Sequence, residues 1–388
     1  MLIKQLSVQR FLSFDHNGID VEMRDLNVLI GPNGSGKSNF LEVLAVLQGS
    51  PKSFGARMKQ LGPLRDWAWR ATQASGPSSI TTQLFDAKSR SELAHVILFD
   101  LENESCTIIS ESVLSPETNP TGNRAPYVYK LEVGEYTLWD SQGKSETFPA
   151  QNLERGESIL SQVRDPSGRY SFLRALQTGY DSMRLYRSWG FGPSASVRRA
   201  PPTDLRVDHL TDGAENLALK IKQMYGGIKR DLVEHLGDFI HGVESIKTLD
   251  KDKSIQLLLD EGNGREIPAT RLSDGTLRYL ALLAILLDPE PPSLIAIEEP
   301  ELGLHPDVLP GLGKLIKKAS SRMQIVITTH SQILLDAFSE TPEDVVVCSR
   351  GPTGSVFERL SAEKLEDWLK DHTLGELWNM GEIGGNGW

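Results

Sequence analysis

The sequence predicts an α/β fold with a mixed sheet at its core, an N-terminal antiparallel β lobe and an inserted, largely helical lobe. Three observations carry that expectation. The apolar run Leu26 to Ile30 enters a glycine-rich loop, and Lys37 to Gln48 beyond it is apolar on most faces, as a helix packed on a sheet should be. From Ser79 to Asp140, short alternating segments are separated by Gly, Pro, Asn and Ser, the pattern of antiparallel strands. In the C-terminal part, buried strands at Leu294 to Ile297 and Gln324 to Thr328 flank a helix from about Pro306 to Ser320, the alternation of a parallel sheet.

In chain order, Leu2 to Phe11 and Ile19 to Met23 alternate polar and apolar residues and read as strands ahead of the glycine loop. Residues 152–186 read as helical with interruptions, and Gly190 to Pro202 as a Gly/Pro/Ser connector. Asn216 to Ile240 has helical periodicity and Ser254 to Leu259 reads as a strand. Thr276 to Leu287 is a strongly apolar helix stopped by Asp288 and Pro289. The expected parts are 1–150 with the glycine loop and β lobe, 151–210 as an inserted Arg/aromatic-rich segment, and 211–388 as the return to the α/β domain.

A chain of 388 residues has room for two or three cores, at a prior of roughly 150 residues per domain. Its 39% hydrophobic and 24% charged residues exclude disorder, collagen-like repeats and fibrous coiled coils. With 41 Lys and Arg against 52 Asp and Glu, the net charge of −11 repels phosphate chains and disfavours general nucleic-acid binding. Cys106 and Cys348 make no disulfide framework, and no secretion signal or membrane-length apolar run is evident, so a cytoplasmic protein with no membrane partner is expected. The eight histidines show no zinc spacing.

The chemistry begins at GPNGSGKS, Gly31 to Ser38, which fits the phosphate-binding pattern GxxxxGK[ST] between a strand and a helix. Backbone N–H groups of Asn33, Gly34, Ser35 and Gly36 can form a nest for phosphates, Lys37 adds a point charge, the Ser38 hydroxyl can ligate Mg²⁺, and Asn39 completes the loop's exit. LIAIEE, Leu294 to Glu299, is a buried strand ending in two carboxylates. Glu298 is the candidate Mg²⁺ ligand and Glu299 the candidate holder of the attacking water. The expected cofactors are therefore ATP and Mg²⁺.

LSDGTLR, Leu272 to Arg278, resembles the signature motif of ABC-type ATPases in their SMC, RecF and OLD-like branch. The resemblance implies that Ser273, Asp274 and Gly275 cap the γ-phosphate of a nucleotide held by a second protomer. By itself the segment would be an ordinary helix cap. EPELGLHP, Glu299 to Pro306, resembles the D-loop of OLD-like ATPases, and ITTHSQ, Ile327 to Gln332, resembles the switch segment, which makes His330 the γ-phosphate sensor. VQRFLSF before the glycine loop and the tail Leu374 to Trp388 resemble bacterial AAA-family ATPases (AAA_21-like). Two places depart from the class: Leu12 stands where Lys or Arg is common, with Arg10 a substitute, and no segment matches the Q-loop pattern, for which Gln83 is the candidate. No TOPRIM nuclease segment is expected after the ATPase part, and no sustained heptads lie between Lys37 and Ser273.

From Arg164 to Arg206, eight arginines are interleaved with aromatics, a composition suited to phosphate contact and base stacking. Core aromatics, with arginines paired to the surplus carboxylates, are the favoured alternative, and Arg198 and Arg199 are expected to be exposed in the connector. The resulting expectation is an ATP-hydrolysing ABC-type ATPase that forms a homodimer or higher oligomer and controls a separate effector, such as a nuclease or toxin in anti-phage defence, or acts in DNA repair. The alternative is a non-catalytic, ATP-dependent scaffold that sequesters a partner protein.

Overall fold

Alternation along the first strands sets the architecture of the N-terminal part, because every second residue of a strand faces the same side. The computed structural model describes residues 1–69, 76–86, 90–102, 104–115, 127–140, 142–165, 167–187, 189–205, 207–262 and 264–384. The expectations placed on Arg206 and on the last four residues of the tail lie outside these. The chain divides into two units, one comprising Met1–Met183, Val346–Leu360 and Ile383–Trp388, the other Arg184–Val345 and Ser361–Glu382.

In the first unit, β1 (Leu2–Gln9), β2 (Ile19–Glu22), β3 (Leu26–Ile30), β4 (Ser78–Asp86), β5 (Ser91–Glu102), β6 (Ser105–Leu114), β7 (Tyr127–Glu132), β8 (Glu135–Trp139) and β9 (Ser145–Pro149) are the strands up to residue 150. All but β3 form one antiparallel sheet in the order β2-β1-β4-β5-β6-β7-β8-β9. Leu6, Val8, Ile80, Leu84, Ile97 and Phe99 alternate inward and are buried. The helices of this unit are α1 (Lys37–Gly49), α2 (Gly55–Leu61), α3 (Ile159–Gln162) and α4 (Ser171–Asp181). The α4 face Leu173, Leu176 and Tyr180 is buried, and Gln48 at the end of α1 donates to the Met183 carbonyl, 2.9 Å away.

A polar knot ties α3 and α4 to the β lobe. Glu111, fully buried on β6, accepts from the Tyr129 hydroxyl (2.7 Å), the Ser158 hydroxyl (2.5 Å) and the Ile159 N–H (2.8 Å). His95 lies 3.1 Å from the same carboxylate and 3.0 Å from the Tyr180 hydroxyl. A buried carboxylate persists only when its oxygens are satisfied in this way. Burial and the neighbouring Glu111 push the Tyr129 phenol well above its ordinary value.

In the second unit the elements are β10 (Arg184–Tyr186), α5 (Leu217–Gln223), α6 (Gly226–Phe239), β11 (Ser245–Lys251), β12 (Ser254–Asp260), β13 (Glu266–Pro268), α7 (Asp274–Leu286), β14 (Leu294–Glu298), α8 (Leu309–Ser320), β15 (Gln324–Thr328) and α9 (Gln332–Asp336). Strands β10, β14 and β15 are parallel neighbours, with Tyr186 beside Ile297 and Glu298 beside Thr328. Strands β11 to β13 form a small antiparallel sheet. Helix α7 is buried from Thr276 to Leu286, which is why its sequence is apolar on every side. Past its end the buried Asp288 accepts an ion pair from Lys220, 2.8 Å away.

The chain returns to the first unit through β16 (Val345–Arg350), which neighbours β3 and pairs antiparallel with β17 (Ser355–Arg359). It then adds α10 (Ala362–Leu365) and α11 (Leu374–Met380) to the second, where the Gly375 N–H donates to Asp336. One local expectation is corrected. Arg184 to Tyr186, read as the end of a helical stretch, is the strand β10, because its three residues pair with Ile295 to Ile297 and no local pattern in RLY reports that distant partner. Both cysteines are buried, and burial pushes the Cys106 thiol up to about 12. Among the described residues no helix is long and apolar enough to cross a membrane.

Candidate functional site

Strand β3 is buried along its whole length and delivers the chain into the glycine loop. Asn33, Gly34 and Ser38 are exposed, Asn39 is half-buried, and Ser35, Gly36 and Lys37 are buried. Gly36 caps α1 in a left-handed conformation (φ 101°), where a Cβ would stand 2.3 Å from the Ser355 hydroxyl and 2.9 Å from that of Ser13. Only glycine fits both the backbone and the space. No side chain caps α1, and the first-turn N–H groups of any helix lack intrahelical acceptors, so this end presents donors and the positive pole of the helix dipole. The Lys37 ammonium folds back over the loop, 2.7 Å from the Gly31 carbonyl and 3.0 Å from that of Pro32.

Beside the loop lies a cavity of about 580 Å³ bounded by Ser13, Asn39, Asp66, Trp69, Arg350 and Ser355, among others. Its wall is the tight turn after β1, where the Phe11 and Phe14 backbones pair with each other. The Trp69 indole is fixed by donation to the Thr353 carbonyl at 3.2 Å. Asp15 anchors the same turn. Burial alone would raise its carboxyl, but hydrogen bonds from Thr353, Gly18 and Asn17 hold it below the ordinary value.

In the second unit, the parallel pairing of β14 between β10 and β15 places two carboxylates at a strand end. Glu298 ends β14, and its carboxylate is 3.3 Å from the Arg187 guanidinium, which follows β10. At Glu299 the backbone turns left-handed (φ 47°). Its N–H donates to the Thr328 carbonyl (3.1 Å) and hydroxyl (3.2 Å), and its carboxylate lies 3.8 Å from the His330 imidazole. Glu301, two residues on, accepts from the Thr329 hydroxyl at 2.7 Å and the His330 N–H at 2.9 Å. Burial pushes its carboxyl above the ordinary value against those two hydrogen bonds.

Ser273 is exposed and caps α7, its hydroxyl accepting from the Thr276 N–H at 3.0 Å. Gly275 sits against the D-loop: a Cβ there would be 2.8 Å from the Gly303 carbonyl. This contact brings the signature turn and the turn after Glu299 together within one unit. Arg278, on the same helix, is 8% exposed, donates to the Glu299 carbonyl at 3.2 Å and stacks 5.5 Å over the Trp189 ring. Burial lowers its pKa, opposed by the charges of Glu301 and Glu299.

Arg198 contradicts the expectation of exposure. It is buried and spends its guanidinium on the carbonyls of Leu272 (2.7 Å), Phe191 (2.9 Å) and Gly192 (3.0 Å) and on the Asp274 carboxylate. Carbonyls left unpaired by the irregular turns around Phe191 and Leu272 need a donor of this reach. Arg199 is exposed. Of the interleaved aromatics, Tyr186 and Phe191 are buried and Trp189 packs against both. Gln83 lies exposed on β4, in register with Gln5. Arg187, Arg278 and Glu301 are site neighbours to which the sequence by itself assigns no role. Two of them stand inside motifs already singled out, LSDGTLR and EPELGLHP, whereas Arg187 has no motif to betray it.

Within the first unit, the loop N–H groups and the Lys37 ammonium suit phosphate, and the exposed Ser38 hydroxyl is a hard oxygen ligand of the kind Mg²⁺ takes; within the second, the Glu298 carboxylate is another ligand of that kind. A family model described as "AAA domain, putative AbiEii toxin, Type IV TA system" matches residues 26–105 and 137–336. Over 174 residues the chain is 29% identical to ABC transporter A family member 6 of Arabidopsis thaliana and 27% identical to member 12 of the same plant. Each match covers 45% of this chain but 16% of the relative's length. The fold is similar to that of an Smc head bound to the C-terminal winged-helix domain of ScpA, with TM-score 0.58, 14% identity, and 94% of this chain and 99% of that one covered. It is also similar to the Pyrococcus furiosus Smc head with an extended coiled coil, bound to the C-terminal domain of ScpA, with TM-score 0.55, 12% identity, and 95% and 99% covered.

Proposed function

The chain belongs to the AAA_21 family of AAA-domain proteins, ATPases of the ABC and SMC-like type, and from that premise we propose that it binds ATP, hydrolyses it and dimerises around it. Lys37 and the N–H groups at the start of α1 hold the phosphates, and the cavity beside Trp69 takes the nucleoside. Ser38 and Glu298 are the residues that would hold Mg²⁺, which when bound neutralises charge on the β- and γ-phosphate oxygens. Glu299 orients the attacking water and accepts its proton, and His330 donates to the γ-phosphate. Ser273 and Gly275 complete the site of a second copy.

The observation that carries the hydrolytic reading is Glu299 in its left-handed turn, 3.8 Å from His330. A non-glycine residue in that region costs on the order of 1–3 kcal/mol and persists where the surroundings hold it. Here the strained residue is the acid the reaction needs. One observation favours the rival, a non-catalytic scaffold: Arg187 already engages Glu298, the metal carboxylate. Phosphate release from saturating Mg-ATP, measured beside a Glu299→Gln control, separates the two. Equal, negligible release from both proteins would leave the scaffold.

The output we assign to the cycle is control of a separate effector, a nuclease or toxin in anti-phage defence, with DNA repair as the other setting. The family description, which names a toxin–antitoxin system, supports the first. An Smc head bound to part of ScpA offers the precedent of a partner protein seated on this fold. Buried, unpaired cysteines suit the cytoplasm. Co-purification of the protein with the products of adjacent reading frames, compared in wild type and Glu299→Gln, tests the effector.

A further inference from the structure

Glu301 is neither the metal carboxylate nor the acid next to the water, yet it is the side chain that grips the switch segment. We propose that Glu301 is a positioning residue for His330: it clamps the Thr329–His330 backbone to the turn that follows Glu299, so that the imidazole and the hydrolytic carboxylate keep one fixed spacing. The inference rests on the ATPase reading given above.

Three observations converge on it. One oxygen of Glu301 takes both the Thr329 hydroxyl (2.7 Å) and the His330 N–H (2.9 Å), closing a ring on the residue that carries the imidazole. The Glu301 backbone is itself fixed, because its carbonyl accepts from the Leu304 N–H at 3.0 Å while the Glu299 carbonyl accepts from the Leu302 N–H at 3.1 Å. The Glu299 carbonyl also takes the Arg278 guanidinium at 3.2 Å, so α7, which Ser273 caps, reaches the same turn. Glu299 is thus pinned at its N–H by Thr328 and at its carbonyl by Leu302 and Arg278, and the turn that leaves it ties back to His330 through Glu301. Without the clamp, β15 would stay in place, but His330, two residues beyond its end, would lose the bond that sets its distance from Glu299.

Purely structural packing would make any loss at Glu301 appear as lower stability and weaker binding together. Positioning predicts a split. In Glu301→Ala, kcat for ATP falls about a hundredfold, the order expected when a reacting group is displaced by about an ångström, while KM and the affinity for a fluorescent ATP analogue stay within about twofold of wild type. Glu301→Gln keeps the accepting oxygen and recovers kcat to within about threefold of wild type. Thr329→Val removes one donor from the ring without changing the side chain's size and gives an intermediate kcat, which keeps the test valid if Glu301→Ala does not fold. Wild-type turnover with unchanged kcat in both Glu301→Ala and Thr329→Val overturns the clamp alone, as does a Glu301→Gln protein no better than the alanine variant. Absence of turnover in wild type overturns the ATPase reading and the clamp with it.

Discussion

At Glu299 a long acidic side chain sits where the backbone favours glycine, and at Gly275 and Gly36 the backbone admits nothing larger than hydrogen. These three residues carry the account at its smallest scale. Lys37→Ala should abolish nucleotide binding, since the ammonium is the loop's one side-chain cation, whereas Glu299→Gln should bind nucleotide and hydrolyse it at least about a hundredfold more slowly. A fluorescent nucleotide titration beside a phosphate-release assay checks both. Gly275→Ala drives a Cβ to 2.8 Å from the Gly303 carbonyl, a backbone atom that cannot swing aside. The expected cost is about 1–3 kcal/mol in chemical denaturation, accompanied by loss of turnover as the signature and D-loop turns separate. A glycine inside LSDGT is legible in sequence, but its reason is not, because Gly303 lies 28 positions away.

At the scale of elements, legibility followed the range of the forces involved. Helix α7 was readable because it is apolar all round and stopped by Asp288 and Pro289, all local signals. Strand β10 was not, since three residues at a sheet edge acquire their character from β14. The burial of Arg198 was equally hidden: GPSASVRR reads as an open connector, and only the carbonyls of Leu272 and Phe191 make the guanidinium worth burying. The end of α7 offers an energetic test. Lys220 and Asp288 are both buried, so Lys220→Ala strands a carboxylate and should destabilise the protein by about 3–5 kcal/mol. Burial would raise the Asp288 carboxyl, but hydrogen bonds from His209 and Lys220 hold it below its ordinary value. A depressed folded-state pKa gives stability that is present above the unfolded value of about 4 and lost as pH falls through the folded one. Acid titration of the unfolding free energy should therefore be shallower below about pH 4 in Asp288→Asn than in wild type.

For the whole molecule, a net charge of −11 and an arginine-rich segment whose best-placed member is buried argue for a protein partner over nucleic acid. Arg199, which is exposed, is the place to test it: Arg199→Glu should leave ATP turnover unchanged, and duplex DNA should bind neither protein at physiological salt. Salt-sensitive binding lost in that variant would reverse the preference. The larger claim is that hydrolysis takes place in sites shared by two copies, and phosphate release by an equimolar mixture of Lys37→Ala and Ser273→Arg proteins tests it most directly. Each protein alone should be inactive. After subunit exchange about half the dimers are mixed, each with one intact site of two, so the mixture should recover about a quarter of wild-type turnover. A mixture no more active than its components, with exchange demonstrated by differently tagged subunits, would contradict the account.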